Sequence, residues 1–388
     1  MKRKISKKGY ELSDISIVQA KMSGIGSRSN TNPYAYILYN TQTLPLFVAP
    51  MATVVDAENW RKFIDSDAVP VVPRSAFGKS IDDFRKRLNI SFETFVSFSM
   101  NEMENVIKQD NQEYVEMLYK ANLYNTYRHP FDRMHICIDI AHGTLERLFK
   151  VCRKLKSLFG DAVIIMTGNI ANPKAYAECC KHGIDWVRCS IGTGSRCTTS
   201  CNTAVHYPMA SLLDEIRIVR NRIEQRYRFL NLFRRKKLTT TKVIADGGIK
   251  NFDDIAKSLA LGADAVMCGK LFNECEEAAY PAYYAANEKE FMDGDKFIST
   301  DNKKLKKYRE YFGMSSDIAK PLIGTTSNYS QEGMSYPTEV KYTLKEFTKM
   351  VRDYLRSSMS YTNCKTIDEF RKKCEIIVLA SGDTQYRK

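Results

Sequence analysis

KVIADGGIKNFDDIAKSLALGADAVMCGK, residues 242–270, repeats one plan twice. A short β-branched run, 242–246, ends in Asp246-Gly247-Gly248 and leads into an amphipathic stretch, 252–261. A second run, 265–268, ends in Cys268-Gly269-Lys270. An apolar run of strand length followed by a longer amphipathic segment marks a βα unit, and such units build parallel sheets. The same alternation recurs towards the N-terminus. Runs at 46–49, 69–72, 95–100, 135–140, 162–167 and 186–190 precede helical stretches at 57–65, 81–88, 103–123, 145–159, 173–182 and, after a longer connection, 209–225. The run at 265–268 precedes a further helical stretch, 271–287. Eight units in succession predict an α/β fold, a closed (β/α)₈ TIM barrel. The alternative is a doubly wound open sheet, which would want its glycine fingerprint after the first strand. Here the glycine turns follow late strands.

Two stretches exceed what the repeat needs. Residues 226–241 are basic and precede the seventh strand. Residues 293–334 are rich in Lys, Ser and Tyr and follow the eighth unit. The second is too long for a plain connection, so a flap-like segment is expected over about 293–340. The tail returns to helix at 344–357 and 366–374 and to a short strand at 376–379. No internal boundary or low-complexity linker is visible, so residues 1–388 read as one domain.

Composition narrows the function classes. The chain is 44% hydrophobic and 27% charged, as for a soluble globular protein. It has 11 cysteines but is too long to be a disulfide-stapled miniprotein. No apolar segment follows Met1-Lys2-Arg3-Lys4 as a secretory signal requires. No run approaches the roughly 18 apolar residues of a membrane helix. Reduced cysteines, a cytoplasmic protein and no membrane partner are therefore expected. The net charge is +14, with basic clusters at 1–8, 217–237 and 303–309. Basic residues interleaved with aromatics, as in Arg226-Tyr227-Arg228, could serve nucleic acid. A solvated helix face with its loop is the simpler reading, and nucleic acid is not the expected partner.

Chemistry in such a barrel sits at the C-terminal ends of the strands. The sixth strand runs into Ile191-Gly192-Thr193-Gly194-Ser195-Arg196-Cys197-Thr198-Thr199. Two glycines permit a tight turn, and Arg196 with two hydroxyls would favour a thiolate at Cys197. A loop cysteine alone is more often inert; its place after a barrel strand, inside a glycine turn, makes Cys197 the candidate nucleophile of a loop spanning 191–201. Cys189 is expected to point into the barrel core and Cys201 to be incidental. Cys197 and Cys201 lack the second ligand pair of a zinc site. Gly247, Gly248 and Gly269, with Lys270, suit the phosphate site that barrels build from the loops after strands seven and eight. Each glycine turn could also be no more than a tight βα connection. Asp246 lies too close to a phosphate to bind it and suits ribose hydroxyls. Asp139 and His142, beside Gly143, could be an acid–base pair, contact a cofactor or be structural. Asn169, at the end of the fifth strand, could contact substrate.

These residues together resemble the IMP dehydrogenase/GMP reductase family. The loop 192–199 is similar to that family's glycine-x-glycine-serine-x-cysteine-threonine-threonine. Ala49-Pro50-Met51-Ala52-Thr53 resembles its first-strand signature, with Ala52 where Asp is usual. Residues 166–169, Asp246-Gly247-Gly248, Gly269, Phe312-Gly313-Met314-Ser315-Ser316 and Leu355-Arg356-Ser357-Ser358-Met359 resemble further segments in the family's order. The resemblance covers about 12–386. It implies that Cys197 attacks C2 of a purine nucleotide monophosphate. Met51, Asn169, Ser195, Asp246 and Gly247 would hold the nucleotide, with Gly248, Gly269, Lys270, Gly313, Met314 and Ser315. Arg74, Asp139, His142 and Gly143 would face the nicotinamide cofactor. It also implies a homotetramer, and a potassium ion held by backbone carbonyls of Gly192, Gly194 and Cys197.

The resemblance is closer to the reductase branch. No regulatory insertion follows the second unit. The dehydrogenase flap's Arg-Tyr pair is replaced by Ser327-Asn328-Tyr329. Gln331-Glu332-Gly333 is similar to a reductase segment in which Glu332 would work with Thr199 to move protons. The implied reaction is NADPH-dependent reductive deamination of GMP, or dGMP, to IMP. IMP dehydrogenase with NAD is the alternative, and a non-catalytic nucleotide- or nucleic-acid-binding protein the remote one. Departures from the reductase pattern are Pro73-Arg74 for a lysine-histidine, His142 for a polar amide, a register offset of a residue or two around Glu332, and a tail, residues 364–370, that is more similar to bacterial dehydrogenases.

Overall fold

The computed structural model describes residues 8–38, 41–108, 133–193, 199–234, 238–298, 304–313 and 335–380, together with 116, 119 and 316. The chain opens with β1 (Ile15–Ile17) and a hairpin of β2 (Ala35–Leu38) and β3 (Thr41–Thr43). Eight parallel strands follow: β4 (Leu46–Val48), β5 (Val69–Val72), β6 (Phe95–Phe98), β7 (Met134–Asp139), β8 (Val163–Ile170), β9 (Trp186–Cys189), β10 (Lys242–Asp246) and β11 (Ala265–Cys268). They close into a barrel, β11 pairing with β4 through Val266 opposite Leu46. Helices α1 (Trp60–Ile64), α2 (Ile81–Ile90), α3 (Met100–Ile107), α4 (Glu146–Phe159), α5 (Ala175–Lys181), α6 (Thr199–Thr203), α7 (Met209–Leu230), α8 (Phe252–Ala260) and α9 (Lys270–Asn273) fill the connections. The (β/α)₈ barrel expected from the repeat is the fold.

Period-two alternation sorts the strand residues into two layers. Phe47, Val69, Val71, Phe95, Cys137, Met166, Trp186, Ile244 and Met267 pack in one buried cluster inside the barrel. Phe47 is its hub, edge-on to Phe95 at 5.5 Å and to Trp186 at 5.2 Å. Val48, Val96, Ile138, Val187, Cys189, Ala245 and Cys268 face the helices. Cys189, expected to point into the barrel interior, faces the helices instead. Trp186 and Arg188 take the inward positions of β9, so alternation turns Cys189 outward.

The hairpin was not foreseen. Its Ile37 and Leu38 join the interior cluster beside the residues that begin the strands, and so plug the N-terminal end of the barrel. Lys242, the first residue of β10, donates to the Tyr36 carbonyl across this plug.

Two readings of the region after β11 also change. Residues 271–287 are not one helix: α9 stops at Asn273, and β12 (Ala282–Ala285) follows Pro281. Proline ends the helical pattern, and the paired tyrosines behind it favour a strand. After α10 (Glu288–Asp293), β12 pairs antiparallel with β13 (Lys306–Phe312), which pairs with β14 (Ser335–Glu339). The base of the expected flap-like segment is therefore a three-stranded sheet. Arg309, counted in a basic cluster, is 2% exposed. Its guanidinium donates to the carbonyls of Asn273, Cys275, Glu276 and Tyr280 and fastens the sheet to the eighth unit. The chain ends in α11 (Leu344–Tyr361), α12 (Ile367–Lys373) and β15 (Ile376–Val378), which pairs antiparallel with β1. No described helix is long and apolar enough to cross a membrane, and the described cysteines are free thiols.

Candidate active site

At the C-terminal end of the barrel the interior turns from apolar to charged. The inward positions there belong to Asp139, the last residue of β7, to Arg188 in β9, and to Asp246, the last residue of β10. Arg188 bridges the two carboxylates. Its Nη1 lies 2.8 Å from Asp139 Oδ1 and its Nε 2.9 Å from Asp246 Oδ2. Asn169 Nδ2 donates to the same Asp246 oxygen at 2.7 Å. The Arg188 side chain is 12% exposed. Burial works against its charge, and Asp246 and Asp139 more than offset that, holding the guanidinium well above its usual pKa. A buried cation costs several kcal/mol unless it is paired and hydrogen-bonded, and two carboxylates meet that demand. Among the described residues Asp246 Oδ1 has no partner, which leaves one acceptor for a ligand hydroxyl.

Arg188 is the residue that the sequence reading missed. It stood inside the apolar run Trp186-Val187-Arg188-Cys189. The available signal was a lone charge in a barrel strand, with aspartates ending strands four and seven.

Glycines let the neighbouring loops close over this network. A Cβ at Gly168 would lie 2.7 Å from the Arg188 Cβ. At Gly143 it would lie 2.7 Å from the Asn169 carbonyl, to which the Gly143 amide donates at 3.0 Å. Asp139, Gly143, Asn169 and Asp246 are thus brought together. His142 is not part of the network; it is exposed and its Nδ1 meets Thr144 Oγ1 at 3.2 Å. Arg74 sits half-buried in the short turn 74–76 after β5.

The stem of the Cys197 loop rises beside Asp246. Ser190 is buried with φ at 130°, an uncommon region for a residue with a side chain. Its hydroxyl donates to the Asp246 carbonyl and meets Thr193 Oγ1. Thr193 packs against Gly248, where a Cβ would lie 3.4 Å from the Thr193 Cβ. Gly192 has φ at 75°, and a side chain there would overlap Ser200, whose hydroxyl donates to the Gly192 carbonyl at 2.9 Å. His206 contacts the Ile191 carbonyl at 3.1 Å through Nδ1 and Glu11 at 2.7 Å through Nε2. The N-terminal segment therefore braces the loop. Gly194, Ser195, Cys197, Met314, Ser315 and Glu332 lie outside the described residues; Thr199 opens α6, and its side chain lies outside them too.

Two further expected residues meet elsewhere at the same end. Met51 Sδ accepts from the Tyr311 hydroxyl at 3.2 Å. A Cβ at Gly269 would lie 2.5 Å from that hydroxyl and 2.7 Å from Met51 Sδ. Gly313 follows β13 directly, so the sheet carries Tyr311 and Gly313 to the mouth. Lys270 opens α9 and lies 3.6 Å from Glu274. Gly247 and Gly248, with φ at 97° and 74°, turn the backbone after Asp246. Burial pushes the thiol of Cys137 up to about 12 and raises those of Cys189 and Cys268 further, which makes all three poor nucleophiles. Cys201 is exposed. Among the described residues no cluster of His, Cys, Asp and Glu could hold a metal ion.

Known proteins share this arrangement of sequence. A family model described as the IMP dehydrogenase / GMP reductase domain matches residues 131–385. A GMP reductase of Oceanobacillus iheyensis is 28% identical over 373 residues, 95% of this chain and 95% of its own. One from Shouchella clausii is 27% identical over 390 residues, 97% of this chain and 98% of its own. An inosine-5'-monophosphate dehydrogenase of Chlorobaculum parvum is 29% identical over 248 residues, 64% of this chain and 45% of its own. The chain belongs to the IMP dehydrogenase / GMP reductase family of oxidoreductases.

Proposed function

We propose that the protein is an NADPH-dependent GMP reductase acting through a covalent adduct on Cys197. The observation that carries this reading is the end-to-end match with GMP reductases, which covers 95% or more of both chains. The match to an IMP dehydrogenase spans less than half of that protein.

The Cys197 thiolate adds to C2 of GMP, or of dGMP. The 2-amino group takes a proton and leaves as ammonia, so that a thioimidate links C2 to sulfur. NADPH, when bound, would supply the hydride that takes the place of the amino group at C2. The C–S bond then breaks, returning the thiolate and releasing IMP or its deoxy counterpart. Splitting the reaction at a covalent intermediate replaces one difficult step by two easier ones. Thr199 with Glu332 passes the proton to the departing ammonia.

The candidate residues divide the binding half of this scheme between them. The turn Gly247-Gly248, at positive φ, and Gly269 offer backbone amides to the nucleotide phosphate, with Lys270 and Ser195 nearby in sequence. Asp246 Oδ1 accepts from a ribose hydroxyl. Met51, Gly313, Met314 and Ser315 hold the base. Asn169, bonded to Asp246, stays on the nucleotide side, and Asp139, His142, Gly143 and Arg74 would face the nicotinamide cofactor. Backbone carbonyls of Gly192, Gly194 and Cys197 would hold a potassium ion; that of Gly192 accepts from Ser200 and has a second lone pair to offer. The protein works in the cytoplasm as a homotetramer.

Cys197→Ala tests the chemistry. GMP binding retained with turnover abolished supports the adduct; undiminished turnover contradicts it. The partial match to the Chlorobaculum parvum protein favours a second reading, oxidation of IMP with NAD. That reading predicts NAD reduction with IMP as substrate.

A further inference from the structure

The basic insertion before β10 takes no part in the site above, yet its tip is built. Buried residues of α7 stop at Ile216, and Val219 and Ile223 are the last to pack on the core. Beyond them Gln225, Arg226, Arg228 and Phe229 are exposed, while Tyr227 and Leu230 are half-buried. At its end Asn231 clamps the loop. Its Nδ2 donates to the Leu238 carbonyl at 2.9 Å, and its Oδ1 accepts from the Leu238 amide at 2.6 Å. Asn231 and Leu238, which flank the loop, are thus pinned together. Phe229, Leu232 and Phe233 are 64%, 73% and 78% exposed there. The two rings meet edge-on at 5.7 Å. Exposed Arg226, Arg228 and Arg234 flank them along the chain, and Arg235, Lys236 and Lys237 follow in sequence. Glu224 is the lone acid over 217–237, and it accepts from the Thr240 hydroxyl.

Large apolar side chains gathered on a pinned, cationic tip mark an interaction surface. We infer that this tip docks the protein on an anionic lipid surface. Phe229, Leu232 and Phe233 enter the boundary between headgroups and acyl chains, and the arginines meet lipid phosphates and carboxylates. This is attachment to a surface without a membrane span, and it amends the expectation of no membrane partner. A second copy of the chain fits less well, because it would set one basic collar against another. A single-stranded nucleic acid wants separate flat ring faces for stacking. Here the rings pack edge to face on one another, and Leu232 offers a base nothing. The position suits catalysis. α7 starts near the Cys197 loop and finishes where β10 begins, so the tip lies at the opposite end of the barrel and docking leaves the site's mouth open.

The test uses the full chain in a flotation assay with phosphatidylcholine vesicles, with and without phosphatidylserine, at low and high salt. Flotation is expected with phosphatidylserine present and is lost at high salt. Phe229→Ser/Leu232→Ser/Phe233→Ser abolishes it. Arg226→Gln/Arg228→Gln/Arg234→Gln weakens vesicle affinity at least roughly tenfold. Both variants keep the parental melting temperature, because the replaced side chains are exposed. The inference is overturned if the parental chain ignores phosphatidylserine vesicles, or if flotation survives the triple serine substitution. It is equally overturned if the tip binds a single-stranded RNA oligonucleotide while vesicles are ignored.

Discussion

Arg188 holds two carboxylates at the floor of the site, and removing it leaves both half-buried without their counter-charge. Arg188→Met should therefore cost about 3–5 kcal/mol in urea unfolding. Arg188→Lys keeps a cation but not the fork that reaches both partners at once, so its loss should be smaller. A loss under about 1 kcal/mol in the Met variant would mean that water already screens the network. Asp139, Asn169 and Asp246 were legible in the sequence because they stand at strand ends, where a barrel places its chemistry. Arg188 was not, since an apolar run hides which of its members points inward until the register is known. Arg309 shows the converse. Its neighbours Lys306 and Lys307 made it read as surface charge, yet its carbonyl partners lie some thirty residues away in sequence.

At the scale of elements, the stem of the Cys197 loop depends on a glycine. Gly192→Ala must hold a side chain at φ 75° against Ser200. Strain of this kind costs on the order of 1–3 kcal/mol. Because it falls on a loop rather than the core, turnover should drop more steeply than melting temperature. Parallel measurements of kcat and Tm would show this, and equal falls in both would place the damage in the barrel instead. All eight barrel strands were readable, because each is a short apolar run set off from its neighbours by longer, more polar stretches. The β2–β3 hairpin was not, since its short strands carry no alternation long enough to count. The stretch 271–287 misled because its alanines and glutamates favour helix, while Pro281 and the sheet contacts of Tyr283 and Tyr284 decide otherwise.

For the whole molecule, acid stability should report one group at the plugged end of the barrel. His135 is buried, its Nδ1 lies 3.2 Å from the Ser91 carbonyl, and burial lowers its pKa to about 4. An unfolded histidine titrates near 6.5. The unfolded chain therefore binds the proton first as pH falls, and stability drains away between about pH 6.5 and 4. A shift of this size corresponds to about 3 kcal/mol. Melting curves across that window should slope less in His135→Gln than in the parent. Identical slopes would assign the acid sensitivity to carboxylates. The overall family was legible too, because its motifs fall in order at successive strand ends. The choice between reductase and dehydrogenase was less so, because it turns on a few residues of the segment 293–340 and on which nucleotide the site admits. The most direct test follows NADPH consumption by absorbance with GMP and with dGMP, for the parent and Cys197→Ala side by side. The parent should oxidise NADPH with at least one of them and release ammonia, and the variant should not. No oxidation with either, together with NAD reduction on IMP, would contradict the reductase reading.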